Sequence, residues 1–174
     1  ALGEQLVRLL NRSLGRSRVA SPPRRAPLPG RPVDRSWDEY RTGFVRAASR
    51  YPSLGTDSAG RLADTYGIAA ERVVALIAER PELGAVVDED SGAVAAEVIF
   101  VITEEGAHTL EDVLLRRTAI GLNADVGISA APVVADLLVA EGFWSPHRAE
   151  PEPAAYPRAV ARFAPKPISH LKSE

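Results

Sequence analysis

The 174-residue chain contains no cysteine and no methionine, only two lysines among its 21 basic residues, and aromatics at 6%. Without cysteine there is no disulfide, no thiol chemistry and no Cys-ligated zinc or iron–sulfur centre. No run approaches the roughly 18 apolar residues of a membrane-spanning helix. Charge threads through the apolar pattern of the first residues, ALGEQLVRLL, so they do not read as a signal peptide. The cysteine usage fits a cytoplasmic setting. Glycine-rich phosphate loops of the P-loop and dinucleotide types are missing, and no serine sits in a nucleophile elbow. The three histidines, His108, His147 and His170, are isolated, and none has a metal-ligand partner at helical spacing. Composition and spacing alone therefore describe a helical domain with no self-contained active site.

What the chain does contain is ordinary for a soluble globular protein: 45% apolar and 25% charged residues, net charge −2. The charge is uneven. Residues 1–50 carry 11 arginines and 4 acids, whereas residues 51–150 carry 6 arginines and 17 acids. Leu2, Leu6, Leu9, Leu10 and Leu14 recur at helical spacing with no capping residue ahead of them. With no initiating methionine, this suggests a chain cut from a longer one at or inside a helix. Residues 15–35 are rich in proline and arginine and read as a solvated linker. No aromatic is interleaved there to stack on bases, so a nucleic-acid arm is disfavoured.

Ser36-Trp37-Asp38-Glu39 is a capping-box pattern that predicts a helix to about Arg50, with Trp37, Tyr40, Phe44, Val45 and Ala48 inward. Residues 57–66 and 69–80 form a helix pair, and Gly67 between them suits a left-handed backbone. The pair resembles a helix-turn-helix, but its second helix presents Glu71, Arg72 and Glu79 in acidic surroundings, which repel phosphate. Asp88-Glu89-Asp90 lacks EF-hand spacing and reads as part of a solvated loop over 81–92. Residues 128–142 form a last amphipathic helix with Ile128, Ala131, Val134, Ala135 and Leu138 inward. From 145 the prolines leave room for a helical turn or two near Tyr156, then a tail. The expected fold is all-α, an irregular bundle of about six to eight helices, organised as a helix and Pro-rich linker (1–35), a helical domain (36–144) and a Pro-rich tail (145–174).

The centre of the chain is the stretch 96–118, AEVIFVITEEGAHTLEDVLLRRT. Its apolar run could be a buried strand or a buried helix, and its length among helices favours helix. Thr109 followed three residues later by Asp112 is a second capping-box pattern, predicting a short helix over 110–117 closed by Arg116 and Arg117, with helical structure continuing to Leu122. Glu97 lies against the apolar run and needs a partner. Arg116 or Arg117 is the expected one, making an ion pair that ties two core helices. The competing reading makes Glu97 or Glu105 a general base.

This stretch resembles the C-terminal helical domain of FAD-dependent glycerol-3-phosphate dehydrogenase. The matching residues are Ala96, Glu97, Val98, Glu105, Ala107, Thr109, Leu110, Asp112, Arg116, Arg117 and Thr118. Leu62, Tyr66-Gly67, Ala70, Val73 and Leu76 resemble the same domain's helix pair, and Leu28-Pro29-Gly30 its connecting segment. The opening helix resembles the one that follows the last strand of the flavin domain. Gly106, Thr103 and Ala119 depart from the family pattern. The resemblance implies a parent enzyme that oxidises glycerol 3-phosphate to dihydroxyacetone phosphate and passes electrons through FAD to quinone. It implies that this segment binds no cofactor and catalyses nothing, but caps and braces the flavin domain, with self-association and peripheral approach to the inner face of the membrane as further roles. On that reading Glu97, Glu105, Thr109, Asp112, Arg116 and Arg117 are structural. The alternative from the residues alone is a free-standing helical interaction or regulatory module that docks its first helix on a partner.

Overall fold

The structure, a computed structural model, describes residues 2–16 and 30–163. It is all-α apart from one small hairpin. The linker residues Leu28 and Pro29, His170 and the last part of the tail lie outside the described residues.

Helix α1 (Leu2–Ser13) carries its apolar side chains outward: Leu6, Val7, Leu9, Leu10 and Leu14 are all more than half exposed. Helix α2 (Trp37–Ala48) begins as its sequence dictates. The Glu39 amide donates to Ser36 Oγ at 3.3 Å and the Ser36 amide donates to Glu39 Oε2 at 2.8 Å. Tyr40, Phe44 and Ala48 are buried, while Trp37 and Val45 are partly buried against them. Helix α3 (Thr56–Tyr66) packs on α2, and Arg41 clamps Asp64 across the pair with two hydrogen bonds of 2.8 Å.

Between α3 and α4 (Ala70–Glu79) lies a single 3-10 turn, Gly67–Ala69. Gly67 has φ +58°, and a Cβ there would lie 2.2 Å from the Gly30 carbonyl oxygen. That carbonyl accepts the Ile68 amide at 3.0 Å, and the Gly67 carbonyl accepts the Tyr40 hydroxyl at 3.0 Å. The end of the linker is thus fastened to the turn, which only glycine permits. The sequence motifs around Gly30 and Gly67 meet in space.

Residues 81–92 are more ordered than a solvated loop. A 3-10 turn (Pro81–Gly84) leads into β1 (Val86–Asp88), which pairs antiparallel with β2 (Ala93–Val94). Asp88 is buried, not solvated: its Oδ2 accepts from the Ser91 amide at 2.9 Å, from the Ser91 hydroxyl at 2.5 Å and from Asn123 Nδ2 at 2.7 Å. Glu89 and Asp90 are the exposed members of that run.

Helix α5 (Ala95–Thr103) is the centre of the core. Every residue from Ala95 to Val101 is buried. A helix covered on all sides shows no amphipathic period, which is why its sequence reads ambiguously. Burying Val98, Ile99, Phe100 and Val101 contributes about 1.5–3 kcal/mol each. Helices α4 and α6 (Ala130–Ala140) pack on it. Ala131, Val134, Ala135 and Leu138 of α6 point inward as expected, but Ile128 precedes the helix and is exposed.

The Pro-rich segment after Trp144 is helical where a tail with a turn or two is expected. Helix α7 (Pro146–Ala149) and α8 (Glu152–Val160) continue into a 3-10 turn, Ala161–Phe163. Pro153 stands in the first turn of α8, where a missing N–H costs nothing. Tyr156 and Val160 are buried, and α8 packs on α6.

Candidate functional site

Glu97 is the one fully buried carboxylate among the described residues. As the third residue of α5 it reaches back to the start of its own helix, where Oε1 accepts the Val94 amide at 2.9 Å. Val94 has no acceptor to return, so this is half a capping box. The charge is met by Arg61 of α3, not by Arg116 or Arg117. Arg61 Nη1 donates to Oε2 at 2.8 Å and Nη2 donates to Oε1. Nη2 also donates to the Gly92 carbonyl at 2.9 Å. One guanidinium fork therefore joins α3, the hairpin turn and α5. Burial alone lowers the pKa of Arg61, but the hydrogen bonds and charge of Glu97 outweigh it and hold the pKa above its ordinary value.

Two geometric reasons exclude the expected partner. Arg117 is exposed. Arg116 is also exposed and turns back on its own segment, Nη1 to Asp112 Oδ1 at 2.6 Å and Nη2 to Glu111 Oε1 at 2.5 Å. Arg61 is legible in hindsight only. It stands beside Leu62 on a helix with a strong apolar stripe, and nothing local marks it as paired across 36 residues.

Tyr66 flanks the pair, its ring edge-on to Phe100 at 5.5 Å. Burial pushes its phenol up, and the Glu97 and Glu105 carboxylates push further in the same direction. Its hydroxyl and Arg61 Nε are buried without hydrogen-bond partners among the described residues. Glu105 itself is half-buried beyond the end of α5. Both oxygens of Glu97 are held by a bidentate guanidinium, so the carboxylate is positioned as a tie and not as a base reaching for substrate.

The second cluster is the Thr109–Thr118 segment. The reciprocal box is present: the Asp112 amide donates to Thr109 Oγ1 at 3.1 Å and the Thr109 amide to Asp112 Oδ2 at 3.1 Å. The His108 amide adds another bond of 3.1 Å to the same oxygen. Burial alone would raise the Asp112 pKa, but these bonds, with Thr109 Oγ1 and Arg116, bring it down to about 2. The helix that follows is not the ordinary one expected. Residues Glu111–Arg117 form a π-helix, closed by the Thr118 amide donating to the Val113 carbonyl at 3.1 Å. Nor does it continue: Thr118 is extended, and only a 3-10 turn, Ile120–Leu122, follows.

The sequence explains the π register. Leu110, Val113 and Leu114 are buried. An α-helix would carry that stripe on to position 117, an arginine. The wider turn brings Thr118 inward instead, where its Oγ1 donates to the Val113 carbonyl at 2.8 Å, and leaves Arg117 outside. Such turns recur at functional sites and depend on their surroundings.

A groove of about 410 Å³ lies elsewhere, between α2 and α4, floored by Phe44 and Val74 and flanked by Arg35, Arg50 and Glu71. None of Glu97, Glu105, Thr109, Asp112, Arg116 and Arg117 lines it. Among the described residues no group of His, Asp and Glu is placed to hold a metal ion, and no helix is long and apolar enough to cross a membrane.

The motif residues belong to a known pattern. The family model for the C-terminal domain of alpha-glycerophosphate oxidase matches residues 24–149. A glycerol-3-phosphate dehydrogenase of Synechocystis sp. is 30% identical over 157 residues, covering 89% of this chain and 27% of that protein. One from Mycobacterium leprae is 34% identical over 96 residues, covering 55% of this chain and 16% of that protein. The chain thus spans about a quarter, or less, of these relatives' lengths. No solved structure matches. With the match extending over most of the chain and through both polar clusters, the chain belongs to the family of C-terminal domains of alpha-glycerophosphate oxidase.

Proposed function

We propose that this chain is the non-catalytic capping domain of a flavin-dependent glycerol-3-phosphate dehydrogenase. The parent oxidises glycerol 3-phosphate to dihydroxyacetone phosphate and delivers the electrons through FAD to quinone, at the inner face of the cell membrane. The observation that carries this reading is the family match over residues 24–149 together with two dehydrogenase relatives.

The fold supports the division of labour. The described residues hold one two-stranded hairpin and no strand–glycine loop–helix unit to cradle a dinucleotide pyrophosphate. FAD therefore belongs to the remainder of the parent in this reading, and no step of the reaction is routed through the residues described above. What they supply is rigidity: the Arg61–Glu97 fork, the Arg41–Asp64 clamp and Arg80 bridging Glu82 and Glu141 fasten successive helices. Helix α1 supplies the docking edge, since Leu6, Leu9, Leu10 and Leu14 stand together in solvent along one short helix and just past its end.

The test is to express the parent reading frame with and without residues 1–174 and to follow glycerol 3-phosphate-dependent dye reduction. The separated parts are then mixed. Recovery of activity on mixing, reduced by Leu6→Glu and Leu10→Glu, is the expected result. A parent that never reduces dye with glycerol 3-phosphate sinks the assignment. A separated chain that leaves activity unaffected in every combination favours the free-standing interaction module.

A further inference from the structure

The segment after Trp144 grips the π-helix from outside. Glu152 Oε2 accepts the Leu110 amide at 3.3 Å, a donor at the helix start that the Thr109–Asp112 box leaves unmet. Arg148 donates to the His108 carbonyl, and Arg162 pairs with Glu111 at 3.2 Å. Helix α8 packs directly on the π-helix, and its buried Tyr156 donates to the Val126 carbonyl at 2.8 Å, fixing α8 to the loop beyond. All of α8 lies past residue 149, where the family match ends.

We infer that residues 145–163 act as a clasp that holds Glu111–Arg117 in the π register and so decides which way Arg117 faces. The backbone gains nothing intrinsic from a π turn, which is rare and persists where packing over-determines it. With α8 in place, the α register would turn Arg117 into the packed interface beside Leu110, Val113 and Leu114, against the cost of burying a charge. With α8 displaced, that face opens to water and the cost disappears. The segment then relaxes to the α register, and Arg117 swings by one residue's rotation, roughly 100°. The clasp makes the direction of Arg117 a two-state property of the motif.

The register is read with Arg117 kept, from the acceptor of the Thr118 amide. In the π register that amide bonds to the Val113 carbonyl, and in the α register it bonds to the Leu114 carbonyl. Through-hydrogen-bond NMR coupling between the Thr118 nitrogen and a carbonyl carbon identifies the acceptor in the full 174-residue chain, in a background with Arg148→Ala and Glu152→Ala, and in a chain ending at Ala149. The expected result is coupling to Val113 in the full chain and to Leu114 in both loosened backgrounds. Coupling to Val113 in all three overturns the clasp, and so does loss of both couplings while the rest of the helical spectrum is kept. Should either loosened background fail to give a native helical spectrum, Glu152→Gln alone decides by the same coupling.

Discussion

The Arg61–Glu97 fork offers a quantitative test of how this domain is held together. Replacing Glu97 by Leu leaves Arg61 charged and four-fifths buried, and strips the Val94 amide of its acceptor. Replacing Arg61 by Met leaves the carboxylate charged at a site with no exposure at all. Breaking a buried pair from one side costs about 3–5 kcal/mol. For a chain of this size that lowers the melting temperature by roughly 6–20 °C. Removing both charges together is far milder, because apolar replacements of similar volume fill the space. The Gly92 carbonyl keeps its bond from Ser58 Oγ at 3.2 Å, and only the Val94 amide is left unmet, at about 1–3 kcal/mol. The double-mutant cycle should therefore give a coupling energy of at least about 2 kcal/mol. The assay is urea unfolding followed by circular dichroism, with Arg116→Ala and Arg117→Ala as comparisons. Both arginines are exposed, and an exposed ion pair contributes about 0–1 kcal/mol. Additive single mutants, or an Arg116→Ala or Arg117→Ala loss equal to that of Glu97→Leu, would refute the assigned pairing.

Other outcomes follow from the same geometry. Gly67→Ala forces a side chain into the left-handed region and against the Gly30 carbonyl, so it should cost more than about 3 kcal/mol, whereas Gly106→Ala, with φ +69° and open space around it, should cost about 1–2 kcal/mol. Chemical denaturation of both variants checks the ranking. The Asp112 carboxyl, brought to about 2 in the folded chain against about 3.9 unfolded, gives stability that is present above pH 4 and lost as pH falls through 2. Solvent screening limits it to about 1 kcal/mol, so the stability difference between the natural chain and Asp112→Asn should shrink over that window in acid titrations. Burial pushes the Tyr156 phenol up to about 12, so its contribution is complete below pH 10 and fades as pH rises towards 12. Alkaline unfolding of Tyr156→Phe should lack that component. Val126 holds φ +58° with a branched side chain, and Val126→Gly should relieve about 1–3 kcal/mol of strain while forfeiting a buried side chain of similar worth, leaving net stability within about 1 kcal/mol.

Much of this architecture is written locally, and the parts that are not share a cause. Ser36-to-Glu39 and Thr109-to-Asp112 announce their caps because both partners lie within one turn. The inward faces of α2 and α6 follow from their period. Helix α5 is harder: its covering on every side erases the period, and length has to decide. Glu97 announces a need for a cation, but the cation comes from Arg61, 36 positions earlier on a different helix, and no local rule reaches that far. Asp88 is misread for the same reason, its anchor being Asn123 across 35 positions. The proline-rich end is misread through counting: Pro151 and Pro153 fall at the start of α8, where prolines are tolerated, and Pro157 inside it is carried by the burial of Tyr156 and Val160. The π register is the opposite case. Arg117 at the seventh position of an apolar stripe already conflicts with an α-helix, and that conflict is visible in the letters.

The contact between Gly30 and Gly67 also has a mechanical meaning. It converts the turn between α3 and α4 into the fixed post of a leash. Between Ser13 at the end of α1 and Gly30 lie 16 residues, a span of at most about 60 Å. On the proposed reading, in which the leucines of α1 dock, the surface they meet is confined to a small sphere around one point of this domain. At that radius the surface meets its counterpart at an effective concentration in the millimolar range, so even a weak apolar contact stays mostly closed. Freeing the post by filling Gly67 would lengthen the leash to the start of α2 and lower that concentration without touching any contact of α1.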